Sequence, residues 1–160
     1  MAQTTGAMSG ANAKVEYSID IGTPTWVDIS GFAATVSVSG GEQITGNQQT
    51  FMGNSAIVTG ANKVEPVTIE VTVVYTDTDS EPFDALFDRF MSTTKTAAVR
   101  YSPNGGASGD EQYTTANDAG TDVEVPIVTC NPPDTEAASG EPRMFTFSVI
   151  APRLAKSAVA

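Results

Sequence analysis

The chain has 160 residues, a single cysteine, no histidine and a net charge of −11 from 19 acidic and 8 basic residues. This length fits one domain with a sizeable core. The lack of histidine excludes Ser-His-Asp and Cys-His catalysis within the chain. The lone Cys130 excludes an intrachain disulfide, and we expect it in the core. The acidic excess leaves no basic face for phosphates, which excludes a conventional nucleic-acid binder.

No apolar run reaches the roughly 20 residues that span a bilayer, and residues 1–13 lack the basic and apolar regions of a signal peptide. We therefore expect no membrane partner and no secretion signal, and residues 1–13 to form a flexible N-terminal arm.

Three early segments alternate apolar and polar residues, as in half-buried strands. The first is 14–21, the second runs from Trp26 through Val38, and the third covers 66–76. The second strand is predicted to place Phe32, Ala34, Val36 and Val38 on one face and Ala33, Thr35, Ser37 and Ser39 on the other. The third strand places Val67, Ile69, Val71, Val73 and Tyr75 on one face and Thr68, Glu70, Thr72 and Val74 on the other.

Residues 40–65, between the second and third strands, are rich in Gly, Asn, Gln and Thr. Hairpin loops normally take about 2–5 residues, and a much longer one is usually functional or disordered. We predict an extended arm at this position.

A helix is predicted over about residues 81–93. Asp79 or Ser80 could cap it, and Pro82 suits its first turn. Its apolar residues follow the spacing of a single stripe that packs on the core: Phe83, Leu86, Phe87, Phe90 and Met91.

Further strands are predicted at 97–101, 122–129 and 143–151, with a polar loop over 103–121 and a C-terminal tail over 153–160. The pattern predicts a single mainly β domain: an antiparallel β-sandwich or barrel with one flanking helix.

No constellation of residues indicates catalysis, a metal site or a cofactor. Acidic pairs such as Asp77 with Asp79 lack the glycine and terminal glutamate of a calcium loop, so solvated charges at a helix start explain them better. Trp26 could stack on a sugar, although an aromatic anchor of the sandwich is the simpler role.

The order and texture of these segments resemble the major tail tube proteins of long-tailed, siphovirus-like bacteriophages. The resemblance spans about residues 14–152. It rests on the opening strand, the Trp26-Val27-Asp28-Ile29-Ser30-Gly31 segment, the Gly- and Thr-rich arm, the strand from Pro66, the helix with Pro82, Phe83 and Leu86, and a final strand near Arg143.

The resemblance implies a virion protein, assembled in the host cytoplasm, whose hexameric rings stack helically into a hollow tail tube. It implies partners inside the tube, the tape measure protein and transiting DNA, and at its ends, the tail terminator and baseplate proteins. It makes residues 40–65 an inter-ring loop, with Glu42, Gln43, Phe51, Met52, Ile57, Val58 and Lys63 as contact residues. It turns the polar faces of two strands toward the lumen: Thr35, Ser37, Thr68, Glu70 and Thr72.

Two other readings stay open. One is a monomeric β-sandwich module for binding or adhesion that uses Trp26 and the loop at Asn104. The other keeps the virion but assigns another tail part, such as a terminator, a decoration protein or the tube of a contractile tail. An enzyme that uses carboxylates fits least well.

Overall fold

The structure, a computed structural model, describes residues 13–23, 25–46, 60–79, 81–133 and 140–160. These residues form one helix and eleven strands: β1 (Lys14–Ser18), β2 (Val27–Asp28), β3 (Ala33–Gly40), β4 (Gln43–Thr45), β5 (Gly60–Val64), β6 (Val67–Val74), α1 (Pro82–Met91), β7 (Thr96–Ser102), β8 (Glu111–Ala116), β9 (Val125–Cys130), β10 (Met144–Ala151) and β11 (Arg153–Ala158). This confirms the predicted mainly β fold with one helix. Among these residues, no helix has the length and apolar character needed to cross a membrane.

The strands form two antiparallel layers. Sheet I contains β3, β6, β10 and β9 in that spatial order. Sheet II contains β2, β1, β7, β8 and β11. The two sheets join at β7, whose first residues pair with β9 and whose later residues pair with β8. The strands β4 and β5 form a separate two-stranded ribbon.

The core lies between the two sheets. In β6 every second residue is buried, as the alternation predicts, and β10 contributes two buried phenylalanines. The residues that share this core include Val15, Tyr17, Ile69, Val71, Val73, Val99, Phe145, Phe147 and Val149. Full burial of such a side chain stabilises the fold by about 1.5–3 kcal/mol. Cys130 is also buried there, as predicted, and burial raises the pKa of its thiol to about 11.

Helix α1 packs against β7 and β9. It begins with Pro82 at the first helical position, and its N-cap is Glu81, not Asp79, without a side-chain capping bond. Leu86 is fully buried, whereas Phe83, Phe87 and Phe90 are partly buried against the core: Phe83 stacks on Phe87 and meets Phe145 edge-on. These four residues therefore pack on the core, whereas Met91 is 64% exposed and does not belong to the stripe.

The first two strands differ from the prediction. β1 ends at Ser18, and its polar face is buried as well as its apolar face because other side chains cover it. The second segment is split into β2 and β3. An irregular register near the start of β3 places Ala33 opposite Val73 and against the core, not on the outward face. A β-bulge of this kind shifts the alternation by one residue.

Besides β4 and β5, which lie within the predicted arm, two further strands were not predicted. β8 lies within the expected polar loop 103–121, and β11 occupies the expected tail 153–160; the two pair along six residues. Neither segment carries a clear alternation of large apolar residues, so periodicity could not reveal them. Their backbone hydrogen bonds, together with those between Val159 and residues 109–110, hold them in place.

Candidate functional site

The outward surface of sheet I carries the residues that the sequence singled out. The register pairs Thr35 with Thr72 and Ser37 with Glu70, and Thr68 lies opposite Ser39. Since paired residues in an antiparallel ladder project to the same side, all five predicted lumen residues share one face. We call the outward surface of β3, β6, β10 and β9 the hydroxyl face.

Strands β10 and β9 extend the hydroxyl face with residues that the sequence analysis missed. Thr146 lies opposite Thr72 and their hydroxyl oxygens are 3.1 Å apart. Ser148 and Thr129 are neighbours whose hydroxyl oxygens are 2.7 Å apart. The signal was present in the sequence, because Thr146 and Ser148 alternate with the inward-facing Phe145 and Phe147.

Charge is almost absent from the hydroxyl face. Glu70 is the one ionisable residue in β3, β6 and β10 together, and it is exposed. All eight basic residues of the chain lie outside the four strands of sheet I: Lys14, Lys63, Arg89, Lys95, Arg100, Arg143, Arg153 and Lys156. The face combines small hydroxyls, one carboxylate and apolar side chains such as Val74, Met144 and Ile150, and it has no cation to hold a phosphate.

The predicted arm begins as a two-stranded ribbon. Its strands β4 and β5 are exposed along their whole length, and two predicted contact residues, Gln43 and Lys63, lie on them. Glu42 is exposed just before β4. The other four predicted contact residues lie outside the described part of the chain: Phe51, Met52, Ile57 and Val58.

The ribbon also exposes apolar side chains. Ile44 is 43% exposed and Val64 is 55% exposed, although both are large and apolar. Large exposed apolar side chains on a short, fully exposed ribbon are consistent with a surface that contacts a partner.

The outward surface of sheet II carries charge, but the charges are paired. The Glu16 carboxylate accepts hydrogen bonds from Arg100 Nε at 2.6 Å and faces Lys14 Nζ at 3.0 Å. The Trp26 ring covers the Arg100 guanidinium at 4.2 Å. Burial alone would raise the pKa of Glu16, but the hydrogen bonds and charges of Arg100 and Lys14 outweigh it and lower the pKa. We call these four residues the ion-pair cluster.

A second paired carboxylate secures the helix. Glu124 accepts hydrogen bonds from Arg89 of α1 at 2.8 Å, from the Thr96 hydroxyl at the start of β7 at 2.5 Å and from Ile21 N at 3.0 Å. Within the described residues, no group of three His, Cys, Asp or Glu side chains is arranged to hold a metal ion.

Comparison with known proteins gives similarity of fold only. No family model and no curated protein match the chain. A chain of the sheath–tube complex of an extracellular contractile injection system, PVC, in the extended state matches at 13% identity and TM-score 0.64, over 97% of this chain and 94% of that chain. The chain shares its fold with this tube complex.

Two further structures extend the similarity. A chain of the PVC sheath/tube terminator in the extended state matches at 11% identity and TM-score 0.64, over 98% of this chain and 100% of that chain. A chain from the tail of an empty gene transfer agent particle, which has C6 symmetry, matches at 13% identity and TM-score 0.59, over 96% of this chain and 100% of that chain. The whole chain, and not a fragment of it, therefore has this fold.

Proposed function

We propose that this chain is the subunit of a hollow phage-type tail tube, a structural and non-catalytic role. Copies form hexameric rings, and the rings stack helically into a channel that conducts DNA to the host. The observation that carries the proposal is the hydroxyl face, which has the chemistry that a DNA channel needs. The shared fold with tube-complex and tail proteins supports it.

The hydroxyl face suits a channel wall because DNA must slide over it without being held. Binding to phosphates comes mainly from Lys and Arg that displace counterions, and the four strands carry none. Some of the hydroxyl groups also form hydrogen bonds with one another, as in the pairs Thr72–Thr146 and Thr129–Ser148. Glu70 adds a negative charge that repels phosphates at short range.

The edges of sheet I suit ring closure. In the described structure β3 pairs only with β6, so its other edge is free. Strand β9 is bonded on its outer edge over its first half, where Val125 and Pro126 pair with β7 and Ile127 N donates to Lys95 O, and its second half is unpaired on that edge within the described residues. Free edges at both sides of one sheet allow a neighbouring copy to continue the sheet, and a head-to-tail contact of this kind closes into a ring. The C6 symmetry of the gene transfer agent tail motivates six as the number of copies.

In this proposal the arm, residues 40–65, contacts the adjacent ring through Glu42, Gln43 and Lys63 together with Phe51, Met52, Ile57 and Val58. The tape measure protein and then DNA occupy the lumen, without specific binding to the wall. Terminator and baseplate proteins close the two ends of the tube, which belongs to the virion tail and assembles in the host cytoplasm.

The test is electron microscopy of the purified full-length chain over a range of concentrations. We expect hollow rings and tubes whose channel admits duplex DNA. Deletion of residues 42–62 should leave rings but prevent stacking, and a variant of equal net charge that retains the arm serves as control. A monomer at every concentration, also in the presence of preformed tube ends, would reject the proposal.

A second candidate function is a protein at the tube end, because a terminator chain matches as well as the sheath–tube chain does. The same micrographs separate the two: a terminator gives single rings that never stack, whereas a tube subunit gives tubes of varied length.

The binding-module alternative is less well supported. One face of Trp26 is covered by Arg100, and the Asn104 amide donates to Asp110 within its own loop, so both proposed sugar contacts are already engaged.

A further inference from the structure

The body and the arm are joined by a bend of two hydrogen-bonded chain segments. One segment is Gly40 and Gly41 and the other is Glu65 and Pro66; we call the four residues the elbow. Gly41 N donates to Pro66 O at 3.3 Å, and Glu65 N donates to Glu42 O at 2.8 Å. Strand pairing continues on both sides of the elbow: β3 pairs with β6 in regular register from Thr35 to Gly40, and β4 pairs with β5 with a register shift between Gln43 and Thr45.

The bend requires glycine. Gly40 has φ of 80° and Gly41 has φ of 74°, a left-handed conformation that other residues adopt only with strain. A Cβ on Gly40 would lie 2.2 Å from Pro66 O, and one on Gly41 would lie 3.1 Å from Val67 Cγ2. The contact at Gly40 is with backbone, so it cannot be relieved by a side-chain rotation. A substituted Gly40 must change the path of one of the two segments.

We propose that the elbow is a positioning device, which holds the β4–β5 ribbon, the described part of the arm, at one fixed angle to sheet I before any second copy binds. A bend in a single chain can act as a hinge, but here two segments bend together and remain hydrogen-bonded. Pro66 restricts the second segment further, because its ring fixes φ. An arm that is already oriented loses less conformational entropy when it docks. This last step rests on the proposed function, whereas the fixed angle does not.

Double electron–electron resonance can test whether the angle is fixed. It measures the distance between two spin labels, one on Lys63→Cys in the ribbon and one on Ser157→Cys in β11, and this distance changes when the angle changes. Both positions are exposed, and the native Cys130 is buried with a raised thiol pKa, so labels attach at the introduced cysteines. Dilution with unlabelled protein removes distances between copies. We expect one narrow distance distribution for the otherwise native chain.

The decisive variant is Gly40→Ala, with Gly31→Ala as its matched control, since a Cβ on Gly31 meets nothing within 4 Å. We expect Gly40→Ala to shift or broaden the distribution and Gly31→Ala to leave it unchanged. If Gly40→Ala fails to fold, Gly41→Ala replaces it, because its added Cβ meets a side chain. A broad distribution in the native chain, or an unchanged one in a folded Gly40→Ala or Gly41→Ala, would overturn the proposal.

Assembly provides a separate readout. In folded protein, Gly40→Ala should raise the concentration needed for ring stacking by about tenfold or more, whereas Gly31→Ala should not. If the distance distribution is narrow but the chain never assembles, the tube function is rejected and the proposal for the elbow is retained. Normal stacking by a variant whose arm angle has become broad would reject the elbow as a positioning device.

Discussion

The two outward faces of the sandwich differ in how their charged residues are surrounded. On the hydroxyl face, β3, β6 and β10 carry one carboxylate, Glu70, and no cation. On sheet II, the Glu16 carboxylate is nearly buried between Arg100 and Lys14, and Trp26 covers the guanidinium. Both faces belong to the same small domain, and both contain a glutamate at the centre of a strand. The comparison therefore shows how the surroundings decide the role of a carboxylate.

The difference shows how an acidic protein can keep basic residues without a basic surface. Within the described part of the chain, four of the eight basic residues are in ion pairs with carboxylates: Lys14, Arg89, Arg100 and Lys156. Charges that pair within the molecule support its fold, whereas Glu70 is exposed and forms no ion pair within the described residues. We therefore expect Glu16 to matter for stability and Glu70 for function.

The largest expected effect follows from removing the charge of Glu16. Breaking a buried ion pair costs about 3–5 kcal/mol, and the partial exposure of Arg100 reduces this to about 2 kcal/mol for Glu16→Gln. The same change on the hydroxyl face, Glu70→Gln, should alter the free energy of unfolding by less than about 0.5 kcal/mol. Urea unfolding of both variants measures the contrast, and equal effects would contradict the distinction between the two faces.

The dependence on pH sharpens the same contrast. The pKa of Glu16 lies below its ordinary value of 4.5 in the folded protein, so the folded state binds its proton less readily than the unfolded state does. Its stabilisation is therefore complete above the unfolded pKa and is lost as pH falls through the folded pKa. The difference in unfolding free energy between the native chain and Glu16→Gln should stay constant above about pH 5.5 and shrink below about pH 4.5.

A difference that instead grew on acidification would show that Glu16 is not stabilised as a carboxylate. The comparison with Glu16→Gln is needed because Asp28, Glu111 and Glu124 also have lowered pKa values and contribute their own acid lability. Subtracting the two curves cancels Glu111 and Glu124, which share no partner with Glu16. Asp28 lies opposite Glu16 and also faces Lys14, so its part is separated by repeating the comparison in an Asp28→Asn background.

A smaller effect, on function and not on stability, is expected from Glu70→Lys. It replaces the one charge of the central strands of the hydroxyl face with a cation, so assembled tubes should bind short duplex DNA at least about tenfold more tightly at low salt, and added salt should reverse this. Asp88→Lys makes the same change of net charge on the exposed surface of α1, outside the four strands of sheet I, and serves as the control. If tubes of the Glu70→Lys variant bound DNA no more tightly than native tubes, the hydroxyl face would not line the channel.

The sequence was a better guide to the hydroxyl face than to the ion-pair cluster, for a physical reason. Alternation is local, so the period-2 pattern around Thr68, Glu70 and Thr72 already placed them on one face. The pairing of Glu16 with Arg100 joins residues 84 positions apart and depends on the register of β1 against β7, which no local residue pattern reveals. Likewise, the bulge that turned Ala33 inward leaves no mark in the residue pattern.

The smallest expected change in unfolding free energy comes from replacing the paired hydroxyls. It tests whether these pairs stabilise the fold. Replacing Thr146 alone by Val leaves the Thr72 hydroxyl without its partner, but that hydroxyl is only partly buried and water can replace the bond, so the cost should stay below about 1 kcal/mol. Replacing both by Val removes both polar groups from a position beside the apolar residue Val74, and should be nearly neutral because no donor is stranded. A double-mutant cycle in urea measures the coupling. A coupling well above about 1 kcal/mol would mean that the hydroxyls support the fold, as the ion-pair cluster does, and are not merely a surface that lets a polyanion pass.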